Sequence, residues 1–463
     1  MVGWKPFNYK TINEVRKDIT ELKVNLPISG DLGILSLPIE LYGRMVKNRF
    51  VIQPMECFDA TEKGAPSKLT FRRYKRYSAG GAGVIWFEST STSPKNKSSR
   101  WQCRITEENL PKYQQLICAI KDSSKNGYPP FNIVQITNNG RNAVYDGGKR
   151  MIVNHNPYLP KPNTEIASDQ FLDNLIQEYV QSAKLYKKAG FDAVDIKACN
   201  GFLISEMLSA FTREKSKYGG SFKNRTRFLI EVIDRINKEV GINISVRLSV
   251  CDLLPYPYGW GMSLNGSMTP DYSEPIKLCK MLVEMGVILL NITVGRNATH
   301  IQSPYNRYSH YPRDHQLTAM AFVQGAANVI KKEVPDSVVV ASTFSWARHY
   351  SANIAAGGIS SGMYDLAGFG RMALAYPDFV KDIFSDGKMY ENKCCTACNN
   401  CWNMVGAVAP KKCPVGCPIQ DREIYGILYR KYVGLKRKTM SPSAVELFDM
   451  SEIPPSNPRK YIS

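Results

Sequence analysis

Six of the twelve cysteines of this 463-residue chain lie between residues 394 and 417. Four of them follow the spacing Cys395-x2-Cys398-x2-Cys401-x11-Cys413. Three thiols separated by two residues can surround one face of a small inorganic cluster, and a more distant fourth thiol can complete the site. A [4Fe–4S] cluster is held in this way, because each iron takes one thiolate. The spacing therefore predicts an iron–sulfur centre and electron transfer.

Other interpretations of these cysteines stay open. A tetrahedral zinc site also takes four thiolates, although zinc sites more often use two separated Cys-x2-Cys pairs. A disulfide pair is a third alternative. Cys394 and Cys417 are further thiols of the segment, and a proline follows Cys417 just as one follows Cys413. Either Cys413 or Cys417 can therefore be the fourth ligand.

The composition predicts a cytoplasmic protein. The apolar fraction of 43% is ordinary for a water-soluble chain. No segment approaches the roughly 20 apolar residues of a membrane helix, and the N-terminus lacks the apolar core of a secretory signal. The other six cysteines are scattered singly, as is typical of reduced thiols. Because a thiolate cluster survives best without oxygen, we expect an anaerobic cytoplasm.

The net charge of +19 raises the question of a nucleic-acid partner. Lysine and arginine are spread along the whole chain, so a solvated basic surface without nucleic acid is the preferred interpretation. A local concentration follows the cysteines and consists of Arg430, Lys431, Lys436, Arg437 and Lys438. Because basic charge near a redox centre can steer an acidic protein, an electron-donor flavoprotein or ferredoxin is a predicted partner.

Eight short apolar, β-branched runs recur along the chain with amphipathic helical stretches between most of them. The runs are 50–53, 83–87, 131–135, 193–196, 244–248, 288–292, 338–341 and 364–369, and two of the helices are predicted at 171–189 and 221–240. Eight parallel strands alternating with helices specify a (β/α)8 TIM barrel, in which chemistry takes place at the carboxyl ends of the strands.

This interpretation divides the chain into four parts. Residues 1–34 are a helix-bearing N-terminal extension, and 35–385 are the barrel, whose floor a hairpin within 35–48 is expected to close. Residues 386–420 are the cluster-binding segment, and 421–463 are a basic C-terminal tail on the surface.

Polar residues stand just beyond several predicted strands, where a barrel places its ligand groups. They include Glu56 and Cys57 after the first strand, Glu88 and Ser89 after the second, Gln135 at the end of the third, Arg247 within the fifth, Ser342 and Thr343 after the seventh, and Gly370 and Arg371 after the eighth. The loops after the seventh and eighth strands of such barrels commonly bind a phosphate group.

These segments resemble the Old Yellow Enzyme family of flavin-dependent ene reductases. More narrowly, they resemble its iron–sulfur branch, as in the barrel domains of 2,4-dienoyl-CoA reductase and trimethylamine dehydrogenase. The resemblance covers about residues 35–415 and is carried by VKNRFVIQPM, GGAGVIWFES, VQITNNGR, KYGGSFKNRTRF, SVRLS and GFGRMALAYPDF. It implies FMN at the barrel mouth and a [4Fe–4S] cluster on Cys395, Cys398, Cys401 and Cys413.

The resemblance also implies roles for single residues. The flavin ring and ribityl chain would contact Pro54, Met55, Ser89, Gln135 and Arg247, and the phosphate would be held by Ser342, Thr343, Gly370 and Arg371. An amide such as that of Gln135 can hydrogen-bond the pyrimidine edge of the flavin. Arg247 can place a permanent positive charge near flavin N1.

The stretch after the fourth strand departs from the family pattern. Lys197 stands where the first of two substrate-binding imidazole or amide groups is expected, and Asn200 can still bond a substrate carbonyl. The position of the usual tyrosine proton donor is Phe202, which has no exchangeable proton. Lys197 and Asn200 are therefore the predicted catalytic contacts to the carbonyl, and the proton donor stays open.

Several sources of the proton are considered. Lys197 itself could polarise the carbonyl or give up a proton, or it could instead form a salt bridge with Glu206 or another carboxylate. A later loop could supply the acid from Tyr256, Tyr258, His300, Tyr305 or Tyr308. Solvent could protonate the product, or the reaction could need no such acid.

The predicted function is reduction of an activated C=C bond in a small α,β-unsaturated carbonyl compound, such as an enone, enoate or steroid, by hydride from FMN. No G-x-G-x-x-G unit follows the cysteines, so either NAD(P)H reduces FMN at the mouth or a separate donor protein feeds the cluster. The alternatives are an amine dehydrogenase that passes electrons from FMN to the cluster and, from another class, a degenerate electron-transfer or interaction subunit. The oligomeric state is open, a homo-oligomer included.

Overall fold

The computed structural model describes residues 7–124, 127–143, 150–159, 163–296, 315–408 and 414–433. Eight parallel strands close into a barrel and are numbered β1 to β8 in chain order. Their bounds are Phe50–Ile52, Val84–Ser91, Phe131–Thr137, Ala193–Ala198, Asn243–Ser249, Leu289–Thr293, Val338–Ala341 and Leu366–Phe369. Strand β8 pairs with β1 and closes the ring, so the predicted (β/α)8 barrel is confirmed.

Helices lie between successive strands and form the outer layer. They span Lys68–Ala79, Leu110–Ser123, Asp169–Ala189, Phe222–Glu239, Ser273–Glu284, Gln316–Glu333, Ser351–Ser360 and Phe379–Asp386, with short helices at Leu203–Leu208 and Arg371–Ala375. The two helices predicted at 171–189 and 221–240 are confirmed. The first begins after Ser168, whose hydroxyl accepts a hydrogen bond from the Phe171 amide, and it ends at Gly190 with φ 93°, a left-handed conformation that glycine adopts without steric cost.

The floor of the barrel is closed by a two-stranded hairpin, Ile39–Leu41 and Arg44–Val46, as predicted. Its turn uses Gly43 at φ 76°. Leu41 and Val46 are buried in the same apolar cluster as Trp86, Ile133 and other residues inside the lower half of the barrel. The hairpin therefore seals this end, and any ligand must enter from the opposite end.

Elements outside the barrel pack against its surface. The N-terminal extension contains the predicted helix, Ile12–Glu21, and a small sheet pairs Arg150–Ile152 with Thr164–Ile166. The expected C-terminal tail begins as a π-helical turn, Arg422–Gly426, and a helix, Ile427–Tyr432, in which Tyr425 and Tyr429 are buried. Residues 434–463, which include Lys436, Arg437 and Lys438, lie outside the described residues. In the part that is described, no helix is both long and apolar enough to cross a bilayer.

A first prediction concerns Trp86, which is fully buried and donates its Nε1–H to Asp195 Oδ2 at 2.9 Å. Trp86→Phe removes a donor from a buried carboxylate and leaves unfilled volume, so we expect it to lower the free energy of unfolding by about 3 kcal/mol. Urea titration followed by circular dichroism measures this. Trp402→Phe, at a side chain that is 42% exposed, is the control and should change stability little. Equal losses of unfolding free energy in both variants would contradict the stabilising role of the buried Trp86 side chain.

Candidate active site at the mouth of the barrel

An irregularity in β2 decides which of its side chains face the barrel interior. The register between β2 and β3 shifts between Phe87 and Ser89, so that Ser89 pairs with Gln135. Because side chains alternate along a strand, such an extra residue turns the following side chains to the other face. Ser89 consequently lies on the inner face, and Glu88 lies on the outer face among the helices.

A buried carboxylate organises the layer above the apolar floor. Asp195 on β4 accepts hydrogen bonds from Gln135 Nε2 at 2.6 Å, from Trp86 Nε1 and from the backbone amide of Arg247 at 2.6 Å. Burial raises the pKa of Asp195 to about 6, and these hydrogen bonds oppose the rise. The interaction orients Gln135, a predicted flavin contact, from below.

Two cations stand side by side at the mouth. Lys197 and Arg247 are register partners on β4 and β5, and both are buried. Lys197 Nζ lies 3.1 Å from Glu56 Oε1 and donates to Ser89 Oγ at 3.0 Å. The Nε of Arg247 is buried and has no hydrogen-bond partner among the described residues. Glu56 therefore pairs with Lys197. The Asp195 carboxylate lies below Arg247, whose charge opposes the rise that burial causes in the pKa of Asp195.

Asn200 presents an amide to the same space. Its backbone is left-handed at φ 62°, which asparagine tolerates better than most residues, and its amide N–H donates to Ser249 Oγ at 3.0 Å. Its buried Oδ1 has no partner within the described ranges. Since buried polar atoms are nearly always hydrogen-bonded in native proteins, this atom indicates a position where a ligand completes the network.

Phe202 packs directly against the Lys197 side chain. The Lys197 ammonium lies 3.4 Å from the centre of the Phe202 ring, a cation–π contact that stabilises the charge. The carboxylate partner of Lys197 is Glu56, whereas Glu206 pairs with Arg141.

The structure describes two of the five alternative proton donors named in the sequence analysis. Tyr256 packs edge-on against Phe211, with ring centres 5.0 Å apart. Tyr258 packs likewise against Tyr158, at 5.7 Å. Both tyrosines lie in the loop after β5. His300, Tyr305 and Tyr308 lie outside the described residues.

The ends of β1 and β8 meet beside the mouth. The Gln53 amide donates to Phe369 O at 3.0 Å, and a Cβ added to Gly370 would lie 3.0 Å from Met55 Sδ. Pro54 is buried and Met55 is half-buried. A glycine at position 370 therefore lets the β8 exit approach the predicted flavin contacts closely.

The loops after β7 and β8 carry the predicted phosphate ligands. Ser342 Oγ is buried without a hydrogen-bond partner in the described chain, and Thr343 adopts φ 79°, a left-handed conformation that a threonine holds at a cost of about 1–2 kcal/mol. Arg371 donates to Asn399 Oδ1 at 2.5 Å. Arg371 thus connects the β8 exit to the loop that carries Cys394, Cys395 and Cys398, here called the cysteine loop.

The cysteine loop turns twice through left-handed residues, Ala397 at φ 57° and Asn399 at φ 59°. The Ala397 amide donates to Cys395 Sγ at 3.4 Å. A second segment lies against this loop, because Gln420 Nε2 donates to Cys394 O at 3.2 Å. The predicted fourth ligand, Cys413, lies outside the described residues, whereas Cys417 belongs to the second segment.

The thiols of this region act on one another electrostatically. Burial raises the pKa of Cys417, and the neighbouring Cys395, Cys398 and Cys401 raise it further. The Arg371 charge opposes the rise that burial causes in the pKa of Cys398 and Cys401. Within the described ranges, no three His, Cys, Asp or Glu side chains are already grouped to hold a metal ion. The donor set fits an iron–sulfur cluster in chemistry, and its thiols would have to converge on the cluster.

A buried ionic network joins the mouth to the cysteine segment. Arg73 donates to Asp59 Oδ1 at 3.0 Å and to Glu88 Oε1 at 2.5 Å. The other Glu88 oxygen accepts the Cys57 amide N–H at 3.1 Å, and Cys57 O accepts the Val415 amide N–H at 2.7 Å. Burial raises the pKa of Glu88 to about 7 although Arg73 opposes it.

Two features of the site had no assigned role in the sequence analysis. Glu56 was noted only as a residue beyond the first strand, and its pairing with Lys197 joins positions 141 residues apart. Glu88 was noted only as a polar residue beside Ser89 after the second strand, and its buried ion pair with Arg73 had not been predicted. The arginine six residues after a capping serine, in Ser67-x5-Arg73, gave no signal of a buried ion pair.

Comparison with known proteins identifies relatives over most of the chain. Residues 35–388 match the NADH:flavin oxidoreductase / NADH oxidase family. An NADPH dehydrogenase of Bacillus pumilus (strain SAFR-032) is 30% identical over 263 residues, which are 56% of this chain and 72% of that relative.

Two solved structures share the fold. 2-Naphthoyl-CoA reductase in complex with 2-naphthoyl-CoA has a TM-score of 0.70 and 22% identity, covering 86% of this chain and 58% of that one. Histamine dehydrogenase from Rhizobium sp. 4-9 has a TM-score of 0.64 and 21% identity, covering 85% of this chain and 53% of that one. This chain therefore spans little more than half of either structure. The resemblance predicted from the sequence is confirmed.

The Glu88 network yields a pH prediction. Because the folded-state pKa of Glu88 is about 7, above the ordinary value of about 4.3 for an unfolded glutamate, the folded state retains a proton that the unfolded state loses. Stability should fall as pH rises between about 4.5 and 7, by up to about 3 kcal/mol.

Glu88→Gln should flatten this dependence, measured by urea titration at several pH values. Glu40→Gln, at an exposed glutamate of the floor hairpin, is the control and should keep the wild-type slope. If stability changed with pH equally in the wild type and in Glu88→Gln, the raised pKa of Glu88 would not be the cause of the pH dependence.

Proposed function

Because the chain belongs to the NADH:flavin oxidoreductase / NADH oxidase family, we propose that this flavin-dependent oxidoreductase is a cytoplasmic enzyme with FMN and a [4Fe–4S] cluster. Its substrate would be a small α,β-unsaturated carbonyl compound, an enone, enoate or steroid, whose C=C bond is reduced. When bound, FMN would supply the hydride and the cluster would supply single electrons.

The observation that carries this proposal is the set of unpartnered polar atoms at the mouth. Arg247 Nε, Asn200 Oδ1 and Ser342 Oγ are all buried without a partner in the described part of the chain. They belong to three residues at predicted cofactor or substrate positions. Pro54, Met55, Ser89, Gln135 and Arg247 would contact the flavin, and Ser342, Thr343, Gly370 and Arg371 would hold its phosphate.

Lys197 and Asn200 would bind the substrate carbonyl oxygen. The positive charge of Lys197 and the side-chain N–H donors of Asn200 Nδ2 would stabilise negative charge that develops on that oxygen during the reaction, whereas Asn200 Oδ1 accepts and would take a donor from the ligand. Glu56 fixes the position of Lys197 Nζ and is itself held by Ser98 Oγ at 3.0 Å. The buried surroundings of the pair strengthen these interactions because little water screens them.

The runner-up is amine oxidation with electrons flowing outward to the cluster. Two observations favour it: Phe202 offers no acid, and Glu56 gives the mouth a carboxylate that could bind a cationic amine. Under anaerobic conditions, an enone should reoxidise the reduced enzyme if the leading proposal holds. Bleaching of the oxidised enzyme by a methylated amine would favour the runner-up. Bound flavin with neither response would favour an electron-transfer or interaction subunit.

The electron donor is also proposed. Either NAD(P)H reduces FMN directly, or a ferredoxin or flavoprotein reduces the cluster. The second route gives the cysteine segment a function and is therefore preferred.

Substitution of Lys197 tests the carbonyl contact. Lys197→Met should lower kcat/KM for the enone about 100-fold, since one charged donor to the oxyanion is lost, and Glu56→Gln should cause a smaller loss. Stopped-flow reoxidation of the reduced enzyme measures both. Lys95→Met, at an exposed lysine of the β2 exit loop, is the control. Unchanged turnover and affinity in Lys197→Met, at wild-type flavin content, would remove Lys197 from the site.

The cluster ligands are tested by metal analysis of anaerobically purified protein. The wild type should contain about four iron atoms and one FMN per chain. We expect Cys417→Ser to lose the cluster, because Cys395, Cys398 and Cys401 act electrostatically on the Cys417 thiol and raise its pKa. The exposed Cys118→Ser should retain it. Loss in Cys413→Ser alone would make Cys413 the ligand, and zinc without flavin in the wild type would overturn the proposed function.

A further inference from the structure

A basic groove lies on the outside of the barrel between the first two barrel helices, Lys68–Ala79 and Leu110–Ser123. It is a shallow cavity of about 680 Å³. Five of its lining side chains are cationic and one is aromatic: Lys68, Phe71, Arg72, Lys75, Arg76 and Lys112. None of the lining residues that the structure describes is acidic. This basic groove has no role in the chemistry at the barrel mouth.

The charges of the basic groove are of two kinds. Lys68, Lys75 and Lys112 are exposed, so their ammonium groups extend into solvent. Arg72 and Arg76 are held in place, because Asp421 Oδ2 lies 2.6 Å from Arg72 Nη1 and 2.9 Å from Arg76 Nη1. Asp421 is 8% exposed, so this carboxylate neutralises part of the charge from below and leaves the outer surface positive.

The basic groove is connected directly to the cysteine segment. The Asp421 amide donates to Cys417 O at 3.0 Å, and the Tyr425 amide donates to Asp421 O at 2.9 Å. Gly416 packs against the Tyr425 ring, since a Cβ at that position would lie 2.4 Å from it. A small cleft lined by Arg72, Arg76, Gly416, Asp421 and Tyr425 shows that the two arginines lie between the groove and the segment.

We infer that the basic groove is the docking surface for an acidic one-electron carrier protein of the ferredoxin class. The inference rests on the proposed function, because it requires a redox centre at the cysteines. Exposed lysines raise the encounter rate with an acidic partner, the fixed arginines offer charge-assisted hydrogen bonds to its carboxylates, and Phe71 offers apolar contact.

The electron count follows from the carrier. Each reduced carrier that docks is oxidised by one electron, which passes to the cysteine-held centre. Two carriers are therefore oxidised for each C=C bond reduced, and two protons come from solvent. The positive charge of the basic groove complements the negative charge of the carrier. The segment that contains Cys417 lies directly beneath the groove.

Charge reversal at the two exposed lysines of the first helix tests the inference. In the holoenzyme, Lys68→Glu combined with Lys75→Glu should weaken binding of an oxidised [2Fe–2S] ferredoxin, a one-electron carrier, about tenfold at low ionic strength. The dissociation constant is measured by biolayer interferometry, and the rate of reduction by the reduced ferredoxin, measured by stopped flow, should fall with it. Reduction by dithionite, a small reductant, should be unchanged.

The matched control is Lys223→Glu combined with Lys280→Glu. Both lysines are exposed. Lys223 lies in the first turn of its helix, as Lys68 does, and Lys280 lies on the helix after β5, on the far side of the barrel. The control changes the net charge of the protein by the same amount. It therefore distinguishes an effect of the basic groove from an effect of net charge alone.

Each result decides between the alternatives. Equal losses in the two double variants, or no loss in either, would overturn the docking surface while leaving the proposed function intact, provided that the wild type contains iron and FMN and is reoxidised by an enone. A loss confined to reduction by NADPH would show that the groove binds nucleotide phosphates, and the docking inference would be wrong. A wild type without iron would remove the proposed function and this inference together.

Discussion

One extra residue in β2 sets the arrangement on both sides of the barrel wall. Without the register shift between Phe87 and Ser89, the strict alternation of a strand would point Glu88 into the barrel. With it, Ser89 reaches Lys197 inside, and Glu88 reaches Arg73 outside. The shift therefore supplies a neutral hydroxyl to the mouth and a carboxylate to the buried network beneath the cysteine segment.

The cysteine segment is fixed to the barrel by main-chain and side-chain bonds of different kinds. The Val415 amide bonds to the carbonyl of Cys57, just beyond β1, and Arg371, just beyond β8, bonds to Asn399. Both anchor points belong to strands whose ends also meet at Gly370 and Met55. The separation between the cysteines and the barrel mouth is thus determined by the rigid part of the fold.

Sequence reasoning predicted the barrel because its signals are local. Each strand is a short apolar run, and helix ends such as Ser168 and Gly190 carry side chains or backbone freedom that suit only those positions. The pairing of Glu56 with Lys197 could not be predicted in this way, because it depends on which strand ends converge in space. The left-handed backbone of Thr343 could not be predicted either, since glycine is the usual signal of that conformation. Cys417 illustrates a third limit: spacing favoured Cys413 without excluding Cys417, and the bond from Gln420 to Cys394 O, which holds the later segment against the loop, could not be predicted from spacing.

The neighbouring cations Lys197 and Arg247 have a thermodynamic consequence. They are buried register partners, and Arg247 Nε has no hydrogen-bond partner among the described residues, so an electron-rich or anionic molecule in this space would be stabilised by their charge. A molecule that binds only the folded chain adds about 2.7 kcal/mol of stability when its free concentration is one hundred times its dissociation constant. The melting temperature of this protein should therefore rise with the concentration of free flavin, and loss of the flavin would lower the stability of the chain as well as its activity.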